Sequence, residues 1–373
     1  MSQWIKTKLG EIVILNYGKA LKAQDRNAGS IPVYSSGGLT GWHNKALINE
    51  QGIIIGRKGT VGKAYLTYGP FWCIDTAYYI LPNPSKYDFV FLFYLLKTLG
   101  LEELNEDSAV PGLNRDTAYS QEILLPSLPE QKAIASVLSS LDDKIDLLHR
   151  QNKTLESMAE TLFRQWFILD STGVSVSIDQ IIDFNPKRTL IKSQDATYLD
   201  MAGLSTVIFR ANGYYRRPFS SGTKFTKRDT LLARITPCLE NGKAAYIDFL
   251  DDNETGWGST EFIVMRPKKE IHPFISYIMC RNPDFKEYAE SCMEGSTGRQ
   301  RVNLDHLKKF NVNLPTEASL RIINELLDSF ESKLINNSKQ IYSLEKLRDT
   351  LLPKLMSGEV RVQYAEEAIA SVA

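Results

Sequence analysis

From Pro129 onward, apolar or small residues fall at Ile134, Leu138, Leu141, Ile145, Leu148, Leu155, Ala159, Leu162 and Trp166, with spacings that alternate four and three. Asn152 fills the one vacant seam position. This is a heptad stripe sustained long enough to predict a coiled coil. A second stripe places Ile323, Leu327, Phe330, Leu334, Ile341, Leu344, Leu351 and Leu355 in the same rhythm, with Asn337 and Arg348 in the gaps. Each predicted helix follows a proline and carries acid in its first turn (Pro129-Glu130; Pro315-Thr316-Glu317), as the helix dipole favours. The stripes are narrow for helices wrapped by a globular core, and their lengths match. They are therefore predicted to pair with each other, antiparallel and within the chain; packing of each helix on its own domain is the alternative. Asn152 and Asn337 are expected to fix the register of the seam.

Elsewhere the pattern changes. Residues 1–125 alternate short β-like runs (Ile31–Tyr34, Gly52–Gly56, Trp72–Leu81) with Gly-rich turns, and a helical pattern is confined to Phe89–Leu99. Residues 169–315 repeat the scheme, with strands over Thr230–Arg234 and Glu261–Met265 and a helix over Pro273–Cys280. The predicted fold class is α+β: two tandem-repeat domains of mostly antiparallel sheet, 1–125 and 169–315. The long helices, 126–168 and 316–358, separate them, and 359–373 form a C-terminal tail.

The halves echo each other in detail. Asn114-Arg115-Asp116 then Pro126 recurs as Asn303-Leu304-Asp305 then Pro315, 189 residues later at each point. Gly62-Lys63-Ala64 answers Gly242-Lys243-Ala244, and Asp75–Ile80 is matched to Ser259–Val264. Two diverged halves, each followed by the same kind of helix, suit one task done twice on a two-part target.

Composition narrows the field modestly. Charged residues are 24% and hydrophobic ones 43%, an ordinary globular balance. No apolar run approaches the roughly 20 residues that span a bilayer, and Met1–Lys6 lacks a signal-peptide core, so a cytoplasmic protein is expected. The four cysteines are far apart and read as reduced thiols. Net charge is zero, but Ser205–Tyr246 carries eight basic residues (Arg210, Arg216, Arg217, Lys224, Lys227, Arg228, Arg234, Lys243) against Asp229 and Glu240. An acidic knot lies at Glu102, Glu103, Glu106 and Asp107. Local charge of this kind decides where phosphate docks.

The loops supply candidate contacts to DNA. In the first half these are Ser35, Ser36, Arg57, Lys58, Thr60, Lys63, Asn114 and Arg115. In the second they are Tyr214, Arg216, Arg217, Arg234, Thr236, Lys243, Arg299, Gln300, Arg301 and Asn303. Arg and Lys neutralise phosphate or read guanine, Asn, Gln and Ser pair with base edges, and glycine allows close approach. Each loop alone is more often a solvated turn; their matching places in two repeats favour a DNA surface. Two helices of about 35 residues would make a rod of roughly 50 Å, on the order of 15 base pairs.

Catalytic chemistry is missing. Arg57–Ala64 approaches a phosphate-binding loop, but Arg57 stands for its leading glycine and Ala64 for its magnesium-holding hydroxyl. Asn282-Pro283-Asp284-Phe285 is similar to the tetrapeptide of amino-methyltransferases, with no Gly-rich cofactor loop beside it. His43, His149, His272 and His306 show no metal spacing. No metal site and no catalytic residues are assigned.

These residues carry a resemblance. Leu125-Pro126-Ser127-Leu128-Pro129-Glu130-Gln131-Lys132-Ala133-Ile134 resembles the central conserved region of type I restriction-modification specificity subunits, and Leu347–Val360 resembles their distal region. Gly56-Arg57-Lys58-Gly59 and Asn303-Leu304-Asp305 are similar to segments of their target-recognition domains. One departure is Thr316-Glu317-Ala318-Ser319-Leu320, where the family's second helix opens Pro-x-x-Glu-Gln. The resemblance implies a non-catalytic subunit whose two domains each read half of a bipartite, asymmetric site in double-stranded DNA, the helix pair setting the gap. It implies two methyltransferase subunits carrying S-adenosylmethionine, restriction subunits using ATP and Mg, and no cofactor in this chain. A protein-only interaction scaffold and a self-contained DNA-modifying enzyme are the rival classes.

Overall fold

A computed structural model describes residues 4–104, 112–170, 172–268, 270–296 and 298–370. Glu106 and Asp107 of the acidic knot, and the last three residues of the tail, lie outside them. The chain divides into two compact units, Met1–Asp146 with Gln340–Ala373, and Leu147–Lys339. The division falls inside both long helices, Leu128–Phe163 and Glu317–Ser357, so each unit holds a segment of both.

In the first unit, the strands Asn16–Tyr17, Ala77–Ile80, Gly52–Gly56 and Ala64–Thr67 form an antiparallel sheet in that spatial order. Gly52–Gly56 is buried throughout, which explains an apolar run in place of alternation. A smaller sheet holds Gly38–His43, Ile31–Ser35 and Trp72–Cys73, the last pair parallel. The single run expected over Trp72–Leu81 is thus two strands in two sheets, broken at Ile74–Thr76. Ile5–Lys8 pairs with Glu122–Leu125, so the first and last strands of this half close it.

The second unit repeats the plan. Ile182–Phe184, Phe262–Pro267, Thr230–Ala233 and Ala244–Tyr246 form its central sheet, and Val174–Ser177 closes on Asn311–Leu314. The second sheet has four strands, Tyr215–Pro218, Asp195–Leu199, Thr255–Gly258 and Thr223–Thr226. The strand echo shifts by one residue from the sequence match. Gly56 pairs with Ala77 and Ala233 with Phe262, so Ala77 corresponds to Phe262 and Thr76 to Glu261. With a period of two, that slip exchanges the faces.

Most heptad positions are buried within each unit, but Leu155, Leu162 and Trp166 are only half-buried, and Phe163 and Phe167 take the buried places at the end of the first helix. Ile134, Leu138, Leu141 and Ile145 are buried in the first unit, as are Ile341, Leu344, Leu351 and Leu355, and Arg348 Nη1 reaches Asp142 at 2.8 Å across the antiparallel pair. In the second, Asn337 is fully buried and donates to Asn152 Oδ1 at 2.9 Å, while Asn152 Nδ2 reaches Ser338 Oγ at 3.4 Å. The two polar seam residues therefore face each other. The helices also serve the globular cores. Ala159, Phe163, Ile323, Leu327, Phe330 and Leu334 join one cluster with Phe274, Tyr277 and Met265, and Leu155, Leu162 and Trp166 pack against it. Pairing and domain packing, set out above as alternatives, coexist.

The unusual opening of the second helix has a local remedy. In the first unit, Gln131 is buried; its Oε1 accepts from Asp88 N at 2.8 Å and its Nε2 donates to Pro126 O at 2.8 Å. Leu320 stands at the corresponding point of the second helix. One turn later, Asn324 Oδ1 accepts from His272 N at 3.2 Å and Nδ2 donates to Glu270 O at 3.0 Å. Each long helix thus satisfies a backbone N–H at the start of a short helix, Asp88 N before Phe89–Thr98 and His272 N before Phe274–Arg281. Thr316 Oγ1 accepts from Ser319 N at 3.3 Å and starts the helix at Glu317.

Candidate nucleic-acid interface

The loop Gly56–Lys63 links two strands and folds back on itself. Gly62 N donates to Gly56 O at 2.9 Å, and a side chain on Gly56 would sit 1.9 Å from Thr60 O. Gly62 has φ +76, and a Cβ there would lie 2.3 Å from the Leu101 carbonyl carbon. These glycines serve the tight turn of the near-miss phosphate loop. The turn Ser35–Gly38 lies alongside: Ser36 N donates to Thr76 Oγ1 at 3.3 Å, and Ser35 Oγ closes its own turn by accepting from Gly37 N.

Arg57 is held in three ways. Its Nη1 donates to Asp75 O at 3.0 Å, and its guanidinium lies 4.9 Å from the Tyr17 ring centre and 5.8 Å from that of Tyr78. Arg115 shares Tyr17 from 5.3 Å. A cleft of about 380 Å³ is lined by Tyr17, Arg57, Lys58, Asn114, Arg115 and Asp116, among others. Three cations therefore face one carboxylate, and neither Arg57, Lys58 nor Arg115 has an ion pair among the described residues. Burial, more than its neighbour Tyr17, holds the Tyr78 phenol above its ordinary range. Tyr17 is half exposed and was not singled out from sequence; its setting, an aromatic followed by Gly18 and Lys19, was the available signal. Lys63 and Thr60 are exposed on the same loop.

Asn114 and Asn303 have another duty. Asn114 Oδ1 accepts from Asp116 N at 2.8 Å, and Asn303 Oδ1 accepts from Asp305 N at 3.0 Å and His306 N at 3.2 Å. Both cap short helices, which accounts for the recurring Asn-x-Asp. Asn282 Oδ1 caps another helix through Phe285 N at 3.1 Å, so Asn282–Phe285 is a helix start.

The second half assembles its loops differently. Thr236 N donates to Gln300 O at 3.1 Å and Gln300 N to Thr236 Oγ1 at 3.2 Å, which brings 234–237 against 299–301. Here Glu261 is clamped by Arg301, at 2.7 Å from Nη2 and 2.9 Å from Nε, with Arg234 Nε at 3.9 Å. The Arg301 hydrogen bonds hold its carboxyl below the usual range. Lys243 Nζ donates to Met201 O at 3.1 Å, and Arg299 is exposed.

The basic excess of Ser205–Tyr246 is largely neutralised from elsewhere in the sequence. Arg210 meets Asp248, Arg216 meets Asp195 and Glu254, Lys227 meets Asp252, Arg228 meets Glu331 and Asp328, and Arg234 approaches Glu261. The expectation that this stretch is a +6 surface is corrected accordingly. Arg217 remains without a carboxylate among the described residues. It lies over Tyr198 at 4.8 Å and Trp257 at 5.3 Å, while Tyr214 stacks on Phe249 at 3.9 Å. One histidine does join a cluster. His272, Asp328 and Glu331 bring potential ligand atoms within 4.8 Å of one another. Arg228 Nη2, 2.5 Å from Glu331 and 3.1 Å from His272, already supplies the positive charge there.

The family model of the type I restriction modification DNA specificity domain matches residues 1–157 and again 172–346. The chain belongs to that family. It is accordingly a specificity subunit, a DNA-recognition chain with two target-recognition domains and no catalytic role of its own. It is 27% identical over 319 residues to the type I restriction enzyme MjaIX specificity subunit of Methanocaldococcus jannaschii, covering 73% of this chain and 69% of that one. It is 21% identical to the HindI specificity subunit of Haemophilus influenzae over 78% of this chain and 81% of that one. The crystal structure of the type I restriction-modification S subunit from M. genitalium matches with a TM-score of 0.65 at 19% identity, over 95% of this chain and 96% of that one, which shows the shared fold. Among the described residues, no helix is long and apolar enough to cross a membrane.

Proposed function

We propose that each target-recognition domain of this specificity subunit binds one half of a bipartite, asymmetric site in double-stranded DNA, and that the paired long helices set the gap between the halves. The carrying observation is a shared backbone frame with different side chains. Leu113 N donates to Arg57 O and Val302 N to Arg234 O, both at 2.8 Å. On that frame the first domain displays unpaired cations, and the second displays a clamped carboxylate. Matching backbone frames with unlike surfaces suit two unlike half-sites. Lys63, Lys243, Arg217, Arg299 and the loop hydroxyls are placed at the DNA in this reading.

Two methyltransferase subunits, each with S-adenosylmethionine, dock on the chain, and restriction subunits using ATP and Mg join for cleavage, in the cytoplasm. The chain itself holds no cofactor. The test is to assemble the complex and map methylated adenines in DNA it has modified. The expected motif has two defined parts with a fixed gap, and deletion of one heptad from both helices shortens the gap. An unchanged gap would refute the spacer role. DNA affinity of the complex equal to that of the methyltransferase subunits alone would favour the protein-only scaffold.

A further inference from the structure

We infer that Arg57 reads a guanine in the half-site bound by the first domain, with Tyr17 as its positioning residue, while Lys58 and Arg115 hold adjacent phosphates. This rests on the first domain being a DNA reader and names what its cleft takes.

The three cations of the cleft are not equivalent. A base reader discriminates only if its donors are fixed, because a mobile side chain adapts to a wrong base. Arg57 meets that demand. One end of its guanidinium is spent on Asp75 O at 3.0 Å, and its plane lies near two tyrosine rings. Of the five N–H donors of a guanidinium, one is committed to Asp75 O and another faces the Tyr78 hydroxyl, and others remain for a bidentate contact. The match for two parallel donors on a base edge is O6 and N7 of guanine in the major groove. Lys58 is exposed and its ammonium has no hydrogen bond or ion pair among the described residues, the character of a phosphate contact. Arg115 is half-buried, and among the described residues its contacts are with the rings of Tyr17 and Tyr119.

The second domain supplies an internal contrast. Arg234 occupies the corresponding backbone position, since both arginines follow equivalent strands and both accept the 2.8 Å bond described above. Arg234 lies beside Glu261, where the first domain has Thr76. A guanidinium beside a carboxylate has weaker call for a guanine edge. The guanine dependence is therefore confined to the first half-site.

The test uses the assembled methyltransferase complex and maps its methylated motif. Arg57→Lys keeps the charge but loses the bidentate fork. The expected result is degeneracy at one guanine of the first half-site, an unaltered second half-site, and a roughly 5- to 150-fold loss of affinity for the cognate duplex with random duplex unaffected. Tyr17→Leu should relax the same position and Tyr17→Phe should not. Lys58→Ala and Arg115→Ala should weaken all duplexes alike and lower the salt slope by about one each. The intact second half-site reports that each variant is folded and assembled. An unchanged motif in Arg57→Lys, with equal losses on cognate and random DNA, would make Arg57 a phosphate contact and overturn the inference. So would relaxation at a position other than guanine, and an unchanged motif in Tyr17→Leu would remove the positioning role. A wild-type complex with no two-part motif would overturn the reading beneath it as well.

Discussion

Replacing the paired seam asparagines gives a thermodynamic cycle whose sign is set by burial. Asn337 is fully buried and Asn152 nearly so; they share one bond of 2.9 Å, and Asn337 Oδ1 has no partner among the described residues. Asn337→Leu alone strands Asn152 Oδ1 against a leucine, while Asn152 Nδ2 keeps Ser338 Oγ. The orphaned group costs about 1–3 kcal/mol, against a gain of about 1.5–3 kcal/mol from the buried leucine, so the single variant should lie near neutral. The double variant Asn152→Leu/Asn337→Leu takes amide donors only from the half-buried Ser338 Oγ (3.4 Å) and Gln151 Oε1 (3.3 Å), both within reach of water, and buries two leucines. It should be more stable than wild type by about 3 kcal/mol, with a coupling of about 2 kcal/mol beyond the sum of the singles. For the second unit that is roughly 6–12 °C in Tm. Urea or thermal unfolding of the four proteins measures it. Additive effects within about 0.5 kcal/mol would show that the two amides do not act as a pair. The stabilised variant also lacks its register pin. Methylation mapping should then find more than one gap length, and a single gap would refute register control by these residues.

Glu156 offers a pH test. Burial pushes its carboxyl up from 4.5 to about 7, partly offset by Tyr277 Oη at 2.9 Å and by Arg281. Because the folded pKa is raised, the folded state binds the proton more tightly. The stabilisation is fully present below about pH 4.5 and is lost as pH rises through about 7, on the order of 3 kcal/mol in all. Glu156→Gln should flatten that slope and melt above wild type at pH 8; a wild-type melting profile flat from pH 5 to 8 would refute it. Gln131→Leu leaves Asp88 N and Pro126 O without partners and should lower the stability of the first unit by about 2 kcal/mol in urea unfolding. Asn324→Leu should do the same to the second unit, and neutrality of both would deny the shared role.

The long helices were legible because a heptad is a local pattern, and the 189-residue repeat held because the capping asparagines and the closing strands recur at equal steps. What sequence missed was non-local. Arg228 is neutralised by Glu331, and Arg210 by Asp248, partners that a charge count over one window cannot see. Asn114 and Asn303 carried the repeat for a local reason, helix capping, although their chemistry equally suits a base edge. The strand match slipped by one because two β-branched and aromatic runs align almost as well in either register. Leu320 marked a departure from the family pattern, while the compensation at Asn324 lay one turn on and is visible only through the backbone groups it satisfies. The Tyr17–Arg57–Arg115 cluster draws on three separated segments, and no spacing rule announces it.

The division of both long helices between the two units has a consequence for synthesis. Leu147–Lys339 is contiguous, and all of it can fold once it has left the ribosome. The other unit needs the second helix from Gln340 to Ser357 to cover the apolar stripe of Leu128–Asp146. At about 5–20 residues per second, that stripe waits on the order of tens of seconds for its cover. A nascent chain stalled or cleaved within the second helix would thus release one finished reader beside one with exposed leucines. Quality control by chaperones and proteases should act on the first-made half of the protein, not the last.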